Sequence, residues 1–296
     1  MSLDHLSTSA DLITSKEDII IGFKEQAELK SEKANEYTAK AREFEAHLDK
    51  VDSLEDVVSL ANDPQFGEHV LTAAGLSAKA KGHIPHSAQK EIARAIFGEY
   101  ENLKRLKEDI LYRYLLTEGA SLSGKMRNVV GNLGENRVAE RLKSELEGRG
   151  QTVHFGHTAS GNVNLISWES RTIFLNRTSK FIGKNIDMII VESYSTDRKA
   201  LKDPHLYKAC VEIKSGIDPA GADEHWKTAR SALERIIKSF KEENMRPPEL
   251  GFIGAAIEPS VAREIFAWLE SGKLQCAGNM LHGDQLDHFV DWLVSL

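Results

Sequence analysis

Cysteine is scarce in this sequence, with two residues, Cys210 and Cys276, in 296. Two cysteines cannot build a disulfide framework, and neither belongs to a C-x-x-C pair of the kind that marks structural zinc or thiol redox chemistry. Both are expected to be buried and reduced. Proline is also rare, at 7 residues, and glycine stands at 21, so neither a collagenous repeat nor a Pro/Gly-rich disordered chain fits. No run approaches the roughly 20 apolar residues that cross a bilayer. The opening Met-Ser-Leu-Asp-His lacks the basic-then-apolar pattern of a secretory signal. Together these absences predict a soluble, cytoplasmic protein with no membrane partner. An excess of basic charge is missing too: 38 Lys and Arg against 45 Asp and Glu leave a net charge of −7. That excludes a polybasic protein coating nucleic acid by bulk attraction. It still permits a locally basic cleft, because salt confines each charge to about 8 Å.

What is present is a folded composition, 41% hydrophobic and 28% charged, long enough for one elaborated domain or two. Residues 24–48 are rich in Ala, Glu and Lys with opposite charges three and four apart, which predicts a long helix with a wide solvated face. Helical spacing recurs over 54–61, 68–80, 88–97 and 101–116. A Gly/Ser stretch, Gly119-Ala-Ser-Leu-Ser-Gly124, is expected to interrupt the chain before a further helix carrying Val138, Leu142 and Leu146. Beyond residue 151 the period becomes β-like, with strands expected over 152–155, 172–176, 186–191, 209–214 and 251–257. Helices over 223–240 and 261–269 fall among them. The expectation is a mainly helical subdomain, residues 1–118, and an α/β core, residues 119–296, whose mixed sheet is flanked by helices.

One constellation carries chemistry. Asp187 stands in the apolar strand Asn-Ile-Asp-Met-Ile-Ile, and Glu212, 25 positions later, stands with Lys214 in Cys-Val-Glu-Ile-Lys. Residues two apart share a strand face, so Glu212 and Lys214 point together while Val211 and Ile213 enter the core. Paired carboxylates make an oxygen site suited to Mg²⁺, and an adjacent ammonium can orient water and offset charge developing on a phosphate. This is a D…(E/D)-x-K nuclease pattern. The alternative is a strand-end Asp and a surface ion pair. Charged groups interrupting apolar strands favour the first reading, since burying them is costly unless they bind something.

The next segment is more specific. Gly216-Ile-Asp-Pro-Ala-Gly-Ala-Asp-Glu-His-Trp-Lys-Thr-Ala229 resembles the stretch that follows the E-x-K strand in the AvaI/BsoBI type of Type II restriction endonuclease, within the PD-(D/E)XK superfamily. Supporting similarity lies at Gly75–Lys81, Ser121–Asn128 and Gly254–Glu258. The resemblance covers most of the chain from about residue 75, with residues 151–172 and the extreme N-terminus divergent. Ile186 stands where the broader superfamily pattern prefers Pro.

The resemblance implies a restriction-endonuclease-like fold with Asp187, Glu212, Lys214 and His225 as the catalytic group, Asp187 and Glu212 holding Mg²⁺. For His225 two readings stay open: a neutral imidazole beside the attacking water, or a structural histidine bonded to a carbonyl. Lys79 and Asp218 match positions that read base edges, Lys donating to guanine and Asp accepting from cytosine. Lys79 could equally sit by a helix dipole, and Asp218 could be a turn residue before Pro219. Arg127 and Asn128 are candidate phosphate contacts. The implied activity is hydrolysis of both strands of double-stranded DNA at a short palindrome of the CYCGRG kind by a homodimer. A repair or junction nuclease and an inactive DNA-binding regulator are the alternatives. Gly119 to Lys125 also fits G-x-x-x-x-G-K, but Met126 offers no hydroxyl and the preceding residues read as helix, so no nucleotide cofactor is expected. The pairs His83/His86 and His154/His157 have zinc-like spacing without a neighbouring cysteine and are expected to be solvated.

Overall fold

The computed structural model describes residues 5–169, 171–192 and 198–296; residues 1–4, which bear on the expected lack of a secretory signal, lie outside them. Two compact units emerge: the described part of Met1–Lys24 together with Val129–Leu296, and Glu25–Asn128. Both boundaries fall inside long helices, α1 (Lys16–Leu48) and α6 (Leu103–Gly148). The Gly/Ser stretch expected to break the chain is therefore helix. Gly119 and Gly124 face open space, while Leu122 and Met126 between and beside them are buried. That burial offsets a cost of about 1 kcal/mol per helical glycine.

The helical unit also holds α2 (Leu54–Ser59), α3 (Gly67–Ala73), α4 (Ala78–Lys81) and α5 (His86–Phe97). Ser53 caps α2 by accepting from the Asp56 N–H. The single helix predicted over 68–80 is split at Gly75, whose φ of +90° ends α3; Ser77 then caps α4. Phe44, Val57, Val58, Val70, Phe97, Leu106 and Ile110 form this unit's core.

The other unit is built on a seven-stranded sheet in chain order: β1 (His154–His157), β2 (Val163–Trp168), β3 (Arg171–Ser179), β4 (Lys184–Val191), β5 (Tyr207–Lys214), β6 (Glu249–Gly254) and β7 (Cys276–Asn279). Pairing is antiparallel from β1 to β5 and parallel from β5 to β7. The parallel steps need crossovers, supplied by α7 (Ala222–Glu242) and α8 (Pro259–Glu270). The predicted stripe of α7, Trp226, Ala229, Leu233, Ile236 and Phe240, packs with Ile265 and Trp268 of α8 against Phe174, Ile189, Cys210 and Phe252. On the opposite face Val138, Leu142 and Leu146 of α6 join Phe289, Val290 and Leu293 of α9 (Gly283–Ser295) over Ile173, Met188, Val211 and Ile213. Strands β2 and β7 and helix α9 have no counterpart in the sequence-based expectation. The four residues of β7, Cys-Ala-Gly-Asn, have little strand propensity; they are a strand because β6 pairs with them.

Candidate active site

Strand β5 alternates as its sequence requires. Cys210 enters one core face, Val211 and Ile213 the other, and Glu212 and Lys214 point to the side of Cys210 and α7. The ladder between β4 and β5 is paired from Val191 down to Met188 opposite Val211. Beyond that last pair the Asp187 carboxylate takes over: its Oδ2 accepts the Ile213 N–H at 2.9 Å and the Lys214 ammonium at 2.8 Å. Lys214 Nζ also donates to Glu212 Oε2 at 2.8 Å. Two carboxylates 25 positions apart in sequence thus share one amine. The ion pair is no surface decoration, because Glu212 is 4% exposed.

Burial sets the electrostatics. Desolvation, reinforced by the Asp187 charge, pushes the Glu212 carboxyl up to about 7. Burial pulls the Lys214 ammonium down, but Glu212 and Asp187 outweigh it and hold its pKa above the ordinary lysine range. One ammonium is not enough positive charge for this pocket. A raised carboxylate pKa beside a second carboxylate is the state that an added hard cation relieves, and the donors on offer are oxygens of the kind Mg²⁺ prefers.

A further acidic residue faces the same site without having been singled out in the sequence. Glu135, on α6, is raised to about 7, chiefly by desolvation and in part by Asp187, and is bonded through both oxygens to Asn176 Nδ2 at 2.6 Å. Asn176 interrupts the β3 ladder between the Leu175–Met188 and Arg177–Ile186 pairs and takes a φ of +50°, a left-handed conformation that Asn tolerates better than most residues. The α6 backbone reaches β5 closely at this level: Ser215 Oγ donates to the Gly131 carbonyl at 3.2 Å, and a Cβ at Gly134 would collide with that hydroxyl. The sequence signal was Gly134-Glu135, a helical glycine at the point of close approach immediately before a carboxylate.

His225 sits on the first turn of α7 and its ring rests against the glycines of the preceding motif. A Cβ at Gly216 would overlap the imidazole, and one at Gly221 would touch it at 3.5 Å. Its Nδ1 is buried with no hydrogen-bond partner. Burial and the Lys214 charge lower its pKa, so the ring is neutral near pH 7. The carbonyl bond required by the structural reading is not made at Nδ1. Asp218 is exposed and caps a short 3₁₀ turn, Pro219–Gly221, accepting the Ala220 N–H at 3.0 Å through Oδ1. The turn role is therefore real, and its other oxygen remains available. Lys79 on α4 and Arg127 and Asn128 on α6 are exposed residues of the helical unit. Gly119 to Lys125 lie inside α6 and form no phosphate-cradling loop.

A mixed sheet flanked by helices, with Asp, Glu and Lys gathered where β4 and β5 part, defines an α/β fold of the restriction-endonuclease type. Comparison with known proteins narrows this class. The family model for restriction endonuclease BsobI matches residues 2–296. Type II restriction enzymes AvaI from Nostoc sp. and from Anabaena variabilis are each 31% identical to this chain, covering 99% of it and 98% of their own length. Type II restriction enzyme BsoBI from Geobacillus stearothermophilus is 30% identical with the same coverage. The chain belongs to the restriction endonuclease BsobI family, and it is a sequence-specific restriction endonuclease. No described helix is long and apolar enough to cross a membrane.

Proposed function

We propose that this protein is a cytoplasmic Type II enzyme that hydrolyses both strands of double-stranded DNA at a short palindrome of the CYCGRG kind, as a homodimer, with Mg²⁺ held by Asp187 and Glu212. The observation that carries the chemistry is the clasp of both carboxylates on Lys214 Nζ, each at 2.8 Å. When bound, Mg²⁺ would supply Lewis-acid polarisation of the scissile phosphate. Lys214, charged and flanked by the two carboxylates, orients the attacking water and offsets negative charge building on the phosphoryl oxygens. His225, neutral and with an unpartnered Nδ1, can take a proton as the water attacks. Asn176 fixes the Glu135 carboxylate beside this group, where it adds to the negative field that favours a cation. Bond breakage on the 3′-oxygen side of the phosphate leaves a 5′-phosphate and a 3′-hydroxyl.

Asp218 and Lys79 are assigned to base edges, and Arg127 and Asn128 to phosphates. The homodimer reading rests on symmetry, since a palindrome presents each half-site identically to a two-fold protein. Exposed apolar side chains supply surface for such an interface: Ile20, Ile21 and Phe23 on α1, and Tyr112, Leu115 and Leu116 on α6. Digestion of mixed-sequence plasmid DNA with MgCl₂, followed by sequencing of the fragment ends, tests the proposal. Discrete ends within one palindrome support it. Random ends, cleavage without divalent cation, or shifted but uncut DNA would refute it.

A further inference from the structure

Three strands from β4, at the edge strand β7, three soft or borderline metal donors converge. His5, Cys276 and His288 each offer one ligand atom, and these atoms lie within 4.8 Å of one another. They come from the N-terminal segment, from β7 and from α9, so their meeting is tertiary and no sequence spacing announces it. The His5 Nε2 lies 3.1 Å from the Ala277 carbonyl. A carbonyl can only accept, so this nitrogen carries the hydrogen and Nδ1 carries the lone pair. That Nδ1 is buried and has no hydrogen-bond partner. An imidazole whose one nitrogen donates to a backbone carbonyl while the other is left bare is the arrangement found at metal-ligating histidines.

We propose that His5, Cys276 and His288 form a binding site for a borderline-soft divalent cation of the Zn²⁺ kind, separate from the Mg²⁺ site of the catalytic carboxylates. The donor set is the argument for the ion: one thiolate and two imidazoles select Zn²⁺ or Co²⁺ over Mg²⁺, which asks for oxygen. Three protein ligands leave a fourth, tetrahedral position to water. The two imidazoles stack at 3.6 Å with planes 16° apart, so binding must fan them and draw the donors to the roughly 3.3–3.6 Å edges of a zinc tetrahedron. Cys276 is 1% exposed, and burial raises its thiol pKa. Coordination therefore breaks the S–H bond, forms the metal–sulfur bond, and releases one proton to the buffer.

The surroundings say what such a site would do. The chain from His5 to Thr14 is already bonded to α9, to β7 and to the residue after β6: Gln285 Nε2 donates to the Asp11 carbonyl, Asn279 Nδ2 to the Leu12 carbonyl, and Thr14 Oγ1 to the Ala255 carbonyl. A cation on His5, Cys276 and His288 ties the same segment to β7 and α9 at its outer end. Occupancy stabilises the folded state by mass action, because the unfolded chain has no preformed site.

The test uses the full-length protein freed of metal by chelation. Addition of CoCl₂ should produce a thiolate-to-cobalt charge-transfer band that saturates at one equivalent per chain and is displaced by ZnCl₂. Cys276→Ser should abolish the band, Cys210→Ser should leave it, and His5→Asn and His288→Asn should each weaken the apparent affinity at least about tenfold. ZnCl₂ should raise the melting temperature of the wild type and of Cys210→Ser by more than it raises that of His5→Asn. His5 lies outside every helix and strand, so that variant folds even where Cys276→Ser fails. Absence of the band at excess CoCl₂, or a band and a ZnCl₂ shift unchanged in His5→Asn, would overturn the proposal.

Discussion

Replacing Glu212 with Gln should make the protein more stable and inactive at once. The carboxyl of Glu212 is 4% exposed and is raised from 4.5 to about 7, first by desolvation and then by the Asp187 charge. At 1.36 kcal/mol per pH unit, holding that group ionised in the fold costs about 3 kcal/mol. The sign follows from proton binding. Between about pH 4.5 and 7 the folded state holds a proton that the unfolded state has released, so stability falls as pH rises through that window and the full cost stands above it. Gln removes the charge while keeping an oxygen for the Lys214 ammonium. Lys214 then loses part of one charge-assisted bond, worth about 1 kcal/mol, and keeps Asp187. The net gain at pH 8 is about 2 kcal/mol, or about 4–8 °C in melting temperature for a domain of this size. Calorimetry in EDTA at pH 5 and pH 8 checks it: the two proteins should melt together at pH 5 and diverge at pH 8, with Glu212→Gln the higher. MgCl₂ at pH 8 should then raise the wild type alone. A Glu212→Gln variant that melts below wild type at pH 8, or a difference independent of pH, would refute the reasoning that this carboxylate is held charged at a cost for the sake of a cation.

Lys214→Ala should abolish Mg²⁺-dependent cleavage while circular dichroism shows a folded protein, and a wild-type cutting rate would exclude its assigned role. His225→Ala should slow single-turnover cleavage about 10²–10⁴-fold with little change in DNA affinity; an equal loss of stability and activity would restore the structural reading of this ring. Gly216→Ala places a methyl on the His225 imidazole and should mimic His225→Ala in rate, with the melting temperature showing whether the loop yields instead. Asp218→Ala should weaken specific binding by about 1–3 kcal/mol and leave the salt dependence of nonspecific binding intact, which titrations against one-base variants of the cleaved site would measure.

The sequence by itself determined which side chains of β5 face together. Alternation places Glu212 and Lys214 on one face and Val211 and Ile213 in the core whatever surrounds them, and the G-I-D-P-A-G motif needs its small residues wherever a ring must lie against backbone. The stripe of α7 was equally legible, since its 3.6-residue period is a property of the chain. Local patterns could not decide where a helix continues or a strand is recruited. The glycines at 119 and 124 read as a break, yet burial of Leu122 and Met126 carries α6 through them. Cys276 to Asn279 lack strand propensity and become β7 only by pairing with β6. Glu135 reaches the candidate site of Asp187 and Lys214 because α6 approaches Ser215, 84 positions from the Gly131 carbonyl that the hydroxyl contacts. His5, Cys276 and His288 meet because the two ends of the chain share one sheet edge. Periodicity and motif report on neighbours a few residues away; contacts across tens or hundreds of positions arise only when the sheet and its flanking helices close around a common core.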